Sequence, residues 1–339
     1  MRDIKEYTLE ELKEFLSKNN FPKFYADQIF NWIYKKRKEN FDLMTDLSKK
    51  AREFLKNNFY FSQLKMVKEE ESSDGVRKFL FELEDKCKIE AALIPEGKRS
   101  TLCLSTQVGC KFACKFCLSG KYGFKRDLKT SEIINQYLFI SDLISPQKIT
   151  NIVFMGIGEP LDNFFNIIKA IKILIHPKGL YFGKKRICIS TCGLIPEIKK
   201  LKDLNLGVKL SISLHSADER IRSKIMPINK KYPLKELIKA VKEFSLKQRY
   251  PITFEYILIK GLNTSKKEAF KLAKLLKGIN CKINLIPLNP CFSFLPPTQK
   301  EINLFKEEIK KHKLFFTLRK SRGKDINAGC GQLRAQFLS

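Results

Sequence analysis

The stretch GCKFACKFC at residues 109–117 is the most informative part of this sequence, because it carries three cysteines in the spacing Cys-x-x-x-Cys-x-x-Cys. These cysteines are Cys110, Cys114 and Cys117. Three thiolates so close together along the chain indicate a metal site. A four-iron iron–sulfur cluster normally takes four cysteines, so three leave one iron free to bind a substrate or cofactor. Structural zinc needs a fourth ligand, and Cys103, His176 and His215 lack the paired spacing of a zinc finger, which favours the cluster.

A second motif follows further along the chain. Residues 152–155, IVFM, have the apolar character of a buried strand and lead directly into GIGEP at residues 156–160. Glycine lets the backbone approach a ligand closely, and the carboxylate of Glu159 can accept hydrogen bonds from an ammonium group. Such a turn is common by itself, but its position after the cysteine loop indicates a ligand site.

The three-cysteine loop, with the aromatic Phe116 before its last cysteine, and the Gly-x-Gly-Glu-Pro strand end together resemble the radical S-adenosylmethionine (SAM) enzymes. The resemblance implies that the three cysteines bind a 4Fe–4S cluster whose open iron binds SAM. It also implies that the strand end at residues 156–160 holds the methionyl amino group of SAM.

Apolar strands alternate with helical stretches around and after the cysteine loop. Six strands are predicted, at residues 101–105, 152–155, 186–190, 208–214, 252–259 and 282–287. This alternation indicates an α/β fold with a parallel sheet, and six strands fit the open partial (β/α)6 barrel of the radical SAM enzymes. Binding sites in such folds lie at the carboxyl ends of the strands, so polar residues that follow predicted strands are candidate site residues.

The chain divides into three predicted regions. Residues 1–60 are expected to form a small helical domain, in which Thr8 and Glu11 have the spacing of a capping box. Residues 61–98 alternate as strands do and are expected to form a β-rich connecting hairpin. Residues 99–339 would form the barrel and a C-terminal segment that carries Cys330. The helical domain is either a nucleic-acid adaptor or a packing appendage, and the pattern does not separate the two.

The chain is strongly basic, with 65 Lys and Arg against 36 Asp and Glu and a formal net charge of +29. Such a charge favours a polyanionic partner, with RNA or DNA the natural candidates, although lysine-rich codon usage would also raise it. The N-terminus lacks the apolar core of a signal peptide, and no apolar run approaches transmembrane length. The protein is therefore expected to be cytoplasmic and not associated with a membrane. Its ten cysteines argue for metal or thiol chemistry rather than a disulfide framework.

Four further segments narrow the resemblance. They are STQVGC at residues 105–110, SLH at 213–215, MPIN at 226–229 and DINAGCGQL at 325–333. Together they look like the bacterial dual-specificity rRNA and tRNA adenine-C2 methyltransferases. Pro160 and the segment IPE at residues 94–96 favour this family over its sister, the adenine-C8 rRNA methyltransferases. A non-enzymatic RNA-binding protein with a structural metal remains an alternative, which accounts for the charge but not for residues 156–160 or Cys330.

The resemblance implies a set of SAM contacts. They fall on Gly158, Glu159, Ser190, Ser213, Leu214, His215 and Asn289. Serine and asparagine offer hydrogen bonds to ribose or carboxylate groups, whereas Leu214 would offer backbone and shape. From the sequence alone, Ser190 or Asn289 could equally cap a helix, and His215 could be an ordinary histidine near the surface.

Two cysteines outside the loop have informative surroundings. Cys330 lies between Gly329 and Gly331, an accessible context that suits a reacting thiol. Cys103 alternates with Leu102 and Leu104, so its side chain is expected on the opposite face, toward the barrel interior. The remaining cysteines are interpreted as small buried apolar residues, namely Cys87, Cys188, Cys192, Cys281 and Cys291.

The resemblance also implies a mechanism with two molecules of SAM per turnover. Cys330 would take a methyl group from the first, and cleavage of the second would convert that methyl to a radical that adds to C2 of adenine in 23S rRNA or tRNA. Glu90 would accept the C2 proton, and Cys103 would then form a disulfide with Cys330 to release the product. A reductant such as flavodoxin or ferredoxin would supply electrons, and the protein is expected to be a monomer.

Overall fold

A computed structural model describes residues 1–289, 294–319, 322, 323, 325, 326, 329 and 331–337. Its helices are α1 (Leu9–Lys18), α2 (Phe24–Phe30), α3 (Lys49–Asn58), α4 (Leu118–Lys121), α5 (Thr130–Leu143), α6 (Phe164–Ile175), α7 (Ile195–Leu204), α8 (Glu219–Ile225), α9 (Leu234–Leu246), α10 (Lys266–Leu276), α11 (Gln299–Lys311) and α12 (Gln332–Ala335). Its strands are β1 (Arg2–Asp3), β2 (Phe59–Tyr60), β3 (Lys65–Glu71), β4 (Arg77–Glu82), β5 (Lys88–Glu96), β6 (Arg99–Cys103), β7 (Gln107–Gly109), β8 (Phe124–Asp127), β9 (Asn151–Phe154), β10 (Ile187–Thr191), β11 (Lys209–Ser213), β12 (Ile252–Leu258), β13 (Cys281–Pro287) and β14 (Phe316–Leu318).

One ten-stranded sheet organises the fold, in the order β14-β13-β12-β11-β10-β9-β6-β5-β4-β3. Strand β6 and strands β9 to β14 pair in parallel, and helices α5 to α11 connect them. The α/β fold with six parallel strands is confirmed, with small shifts of the strand ends. A seventh parallel strand, β14, is too short to show in the sequence pattern. Because the strand order is linear, the described sheet is an open barrel.

The segment predicted as a connecting hairpin is instead an antiparallel meander of three strands. Strands β3, β4 and β5 extend the main sheet beyond β6. The turn between β3 and β4 also holds the C-terminal segment, because the backbone N–H of Ser73 donates to Asp325 at 2.8 Å and that of Gly323 donates to Asp74 at 3.1 Å. The meander is therefore a platform for the C-terminal segment rather than only a connection.

The N-terminal helices pack against one side of the barrel. Helix α1 begins with the expected capping box, in which Thr8 and Glu11 bind each other's backbone N–H groups. Glu11 also pairs with Lys169 of α6 at 3.0 Å, and Arg37 pairs with Asp142 of α5 at 2.7 Å. These contacts join the helices to the barrel. Among the described residues, no helix has both the length and the apolar character required to cross a membrane.

Candidate active site

A cavity of about 430 Å³ opens at the carboxyl ends of the parallel strands. A volume in this range suits a cofactor or a small ligand. Eleven of the residues singled out in the sequence line it: Glu90, Cys103, Cys110, Cys114, Cys117, Gly158, Glu159, Ser190, Ser213, His215 and Asn289. The fold therefore brings together side chains that are as far apart in the sequence as Glu90 and Asn289.

Two candidates are not among the lining residues. The side chain of Leu214 is fully buried in the hydrophobic core. Its N–H donates to the carbonyl oxygen of Glu255, and its carbonyl oxygen accepts from Arg222. Because core packing and internal hydrogen bonds occupy Leu214, the structure does not place it at the cavity. Cys330 lies outside the described residues.

The cysteine loop is held at its base and at its middle. Strands β7 and β8 pair on either side of it, and the N–H of Cys110 donates to the carbonyl oxygen of Gly123 at 2.9 Å. Gly109 has a φ of +83°, and a Cβ atom there would lie 1.8 Å from that same oxygen, so only glycine fits. At the middle, the N–H of Lys115 donates to the carbonyl oxygen of Ile225 at 2.9 Å, which ties the loop to α8.

The three thiols of the loop form a soft donor set beside the cavity. Burial, with the neighbouring Cys117, raises the pKa of Cys110 to about 12, and burial with both neighbouring cysteines raises the pKa of Cys114. Burial disfavours the charged thiolate, whereas a bound iron cation favours it. No group of three His, Cys, Asp or Glu side chains in the described part of the chain is arranged around a single ion. Three thiols on one loop are the soft ligands that iron–sulfur clusters take, so the residues fit a cluster.

The glycines of the GIGEP segment are required by packing within the protein. A Cβ atom at Gly156 would lie 2.7 Å from the backbone of Leu104, and one at Gly158 would lie 2.6 Å from Gln107. Gly158 also has a φ of +105°, which side chains rarely allow. The absence of both side chains lets the segment pack on the chain that leads to the cysteine loop. Close approach to a ligand, the reason expected from the sequence, is therefore not the only demand for glycine here.

Glu159 is buried and links two strand ends. Its carboxylate accepts from the N–H groups of Leu161 at 3.0 Å and Cys192 at 2.7 Å. Burial raises the pKa of Glu159, and these hydrogen bonds oppose the rise. The side chains of Thr191 and Cys192 also hydrogen-bond to this carboxylate, which lines the cavity as an acceptor for a cationic group.

His215 is buried at the cavity and carries no charge. Its Nδ1 accepts from the N–H of Ile257 at 3.1 Å, so the proton of the neutral ring lies on Nε2. Burial lowers the pKa of His215 to about 3, with Arg222 adding to the effect. The ring packs edge-on against Phe116 with centroids 4.8 Å apart, so His215 also supports the cysteine loop. The alternative of an ordinary histidine near the surface is wrong.

Sequence reasoning missed Arg222, whose hydrogen bonds connect the chain after β10 with the chain at the end of β11. Its fully buried guanidinium donates to the carbonyl oxygens of Cys192 at 2.8 Å, Leu214 at 3.1 Å and Ser213 at 3.3 Å. It also binds the side chain of Asn229, which explains part of the MPIN segment. In the sequence, Arg222 is an arginine in a short amphipathic helix, and the pattern does not distinguish such an arginine from one on the surface.

We expect Arg222→Met to destabilise the fold by about 2–4 kcal/mol, because it leaves several buried acceptors without a donor. Denaturant unfolding measures the change. Arg220→Met, on an exposed position of the same helix, is the control and should stay within about 0.5 kcal/mol of the parent. Equal effects of the two substitutions would contradict a supporting role for Arg222.

Glu90 and Cys103 lie on the same interior face of β5 and β6. Glu90 is 3% exposed, so it is a buried charge rather than a surface charge. Its carboxylate pairs with Lys78 at 2.8 Å and accepts from the N–H of Gly331 at 2.9 Å. Cys103 pairs in register with Ala92, two residues from Glu90. Burial raises the pKa of Cys103, whereas the nearby Lys78 and Arg319 oppose the rise.

Comparison with known proteins agrees with this geometry. The model of the radical SAM superfamily matches residues 104–273, and that of the ribosomal RNA large subunit methyltransferase N-terminal domain matches residues 2–61. A crystal structure of a radical SAM methyltransferase from Sphaerobacter thermophilus superposes with a TM-score of 0.90 and 38% identity, covering 98% of this chain and 99% of that one. The fold and the cysteine loop thus define a radical SAM protein, a class that uses a 4Fe–4S cluster and SAM.

Curated relatives narrow the class. The dual-specificity RNA methyltransferase RlmN of Campylobacter curvus is 46% identical over 100% of this chain and 95% of its own length. That of Nitratiruptor sp. is 44% identical over 98% of both chains. The chain belongs to the RlmN family of dual-specificity RNA methyltransferases. The resemblance expected from the sequence is confirmed.

Proposed function

We propose that this protein methylates C2 of an adenosine in 23S rRNA and of an adenosine in tRNA, through a methylated Cys330. One observation carries the proposal: Glu90, Cys103 and the three loop cysteines line a single cavity with the strand-end residues expected to bind SAM. Gly329, the neighbour of Cys330 in the chain, lines the same cavity. A non-enzymatic RNA-binding protein would not require this combination.

Each group of lining residues has a proposed role. Cys110, Cys114 and Cys117 would hold the cluster, which when bound supplies the electron that cleaves SAM. Glu159 would accept from the amino group of SAM, because its carboxylate lines the cavity and can accept hydrogen bonds from an ammonium group. Ser190, Ser213 and Asn289 would offer hydrogen bonds to its polar groups, and the neutral His215 would shape the wall. Leu214 would act through the core that supports these residues.

The two reacting thiols and Glu90 would complete the reaction. Cys330 would carry the methyl group to the base, and Glu90 would take up the C2 proton. Once the adduct has lost its unpaired electron, for which the bound cluster would be the acceptor, Cys103 would attack the sulfur of Cys330. An S–S bond would replace the bond between that sulfur and the methylene carbon, whose electron pair would take up a proton to give the methyl group. A dithiol reductant would then return the disulfide to two thiols. A flavodoxin or ferredoxin would reduce the cluster, and an enzyme with these RNA substrates would act in the cytoplasm as a monomer.

The methylated thiol gives a direct test. Protein purified from cells that contain SAM should carry a methyl group on Cys330, which mass spectrometry of its C-terminal peptide detects. A Cys330→Ala variant should carry no methyl group on any cysteine and should make no methyladenosine. An unmodified Cys330 in a preparation that methylates RNA would contradict the proposed carrier.

RNA binding should depend steeply on salt, because counterions are released when lysines contact phosphates. Lys121 and Lys125 are exposed beside the cysteine loop, at the cavity end of the barrel, whereas Lys184 and Lys185 are exposed before β10, at the opposite end. Replacing the first pair by glutamine should lower the slope of log affinity against log salt by about two, and replacing the second pair should leave it unchanged. Fluorescence anisotropy with a tRNA anticodon stem-loop measures both. Equal slopes for the two double variants would mean that the positive charge contributes to RNA binding regardless of where it lies on the protein.

A further inference from the structure

We propose that Lys78 is a positioning residue of this reaction, which holds Glu90 and the chain around Cys330 in place and favours the reactive form of Cys103. The inference rests on the proposed function. Lys78 lies on β4, in the segment that the sequence pattern predicts only as a connecting hairpin. It is 3% exposed, and a lysine is rarely buried to this extent unless it is paired.

Lys78 joins three elements through its ammonium group. The group pairs with Glu90 at 2.8 Å and donates to the carbonyl oxygen of Gly329 at 2.9 Å. The carboxylate of Glu90 in turn accepts from the N–H groups of Gly331 and Arg334. The buried ion pair of Lys78 and Glu90 therefore binds the chain on both sides of position 330, although position 330 lies about 240 residues further along the sequence than Glu90.

The register of the sheet explains how Lys78 also acts on Cys103. Lys78 pairs with Ala92, and Ala92 pairs with Cys103, so the three residues form one row on the interior face. Neighbouring strands lie about 4.8 Å apart, and the small side chain of Ala92 leaves room for the long side chain of Lys78 to cross it. The charged groups that act on Cys103 are Lys78 on β4, Glu90 on β5 and Arg319 after β14.

The charge of Lys78 has two chemical consequences. It holds the carboxylate of Glu90 in a buried ion pair at the cavity wall, where the proton acceptor is expected. It also favours the thiolate of Cys103, which is the form that attacks another sulfur. An uncharged residue at this position would break the ion pair with Glu90 and would disfavour the thiolate of Cys103, because burial without a nearby cation disfavours a charged sulfur. A residue with a purely structural role would not change the reactivity of Cys103 in a folded protein.

Alkylation of Cys103 tests this without the cluster or SAM. Cluster-free protein is treated anaerobically with iodoacetamide across a range of pH, and peptide mapping follows Cys103 alone. Lys78→Met and Lys78→Gln should move the midpoint of alkylation to higher pH, with the rate below the midpoint falling about tenfold for each unit of that shift. Lys78→Gln can still donate a hydrogen bond, so it separates the charge from the contact. Lys78→Arg should restore most of the parent midpoint.

A matched control and a second readout complete the experiment. Arg77 is the preceding residue on β4, points to the opposite face and pairs with Glu69, so Arg77→Met should leave the midpoint unchanged. With loaded enzyme, Lys78→Gln should accumulate a covalent protein–RNA adduct, because neither proton removal nor attack by Cys103 proceeds normally. An unchanged midpoint in folded Lys78→Gln protein would overturn the proposal. If the parent makes no methyladenosine, the proposed function fails, whereas the alkylation result still decides the effect of Lys78 on Cys103.

Discussion

Cys103→Ala protein is expected to accumulate a covalent adduct with RNA and to release almost no methylated product. Cys103 on β6 and Glu90 on β5 lie on the same face of the sheet and line the cavity. Replacing Cys103 therefore removes the attacking thiol and leaves the rest of the site intact. Methyl transfer to Cys330 and addition to the base would proceed without it. Denaturing gel electrophoresis with labelled RNA detects the adduct, which should be nearly absent from the parent protein.

The Cys103→Ala/Cys330→Ala double variant is the control for this adduct. It should form none, because the residue that carries the RNA is gone. Normal turnover by the Cys103→Ala variant, or an adduct that persists in the double variant, would show that the two-thiol mechanism does not apply to this protein.

Cys114→Ala protein is expected to lose the cluster and to lower SAM cleavage to background. The loop carries three thiols and is fixed by its bonds to Gly123 and Ile225, so the variant keeps only two of the three proposed ligands. Iron and sulfide analysis after anaerobic reconstitution measures the cluster, and the yield of 5′-deoxyadenosine after reduction measures cleavage.

Cys281→Ala is the matched control for the loss of a cysteine. Cys281 is partly buried at the start of β13, at the end of the barrel opposite the cavity, and should tolerate replacement with its iron content unchanged. Full iron content in the Cys114→Ala variant, or stoichiometric zinc without iron in the parent protein, would contradict the assignment of the loop.

The parallel strands and most of the cavity could be predicted from the sequence because both depend on local patterns. A buried parallel strand is a short apolar run, and the polar residues that follow it must gather at one edge of the sheet. Ser190, Ser213 and Asn289 lie there for this reason. Cys103 faces the interior because side chains alternate along a strand.

The supporting residues could not be predicted, because their partners are distant in the sequence. Lys78 and Glu90 are single charges within two apolar strands, and only the antiparallel register of β4 and β5 makes them neighbours. Arg222 looks like a surface arginine until the loops after β10 and β11 surround it. The resemblance implies a SAM contact at Leu214, but side chains alternate along a strand, and this one points into the core.

Nucleoside mass spectrometry of 23S rRNA and tRNA tests the central claim most directly. The RNA is taken from a bacterial strain that lacks its own RlmN and expresses this protein, with Cys114→Ala protein as the control. We predict 2-methyladenosine in both RNAs with the parent protein and in neither with the variant. The appearance of 8-methyladenosine instead, or of no methyladenosine in either RNA from cells that contain the folded, cluster-loaded protein, would contradict the proposed function.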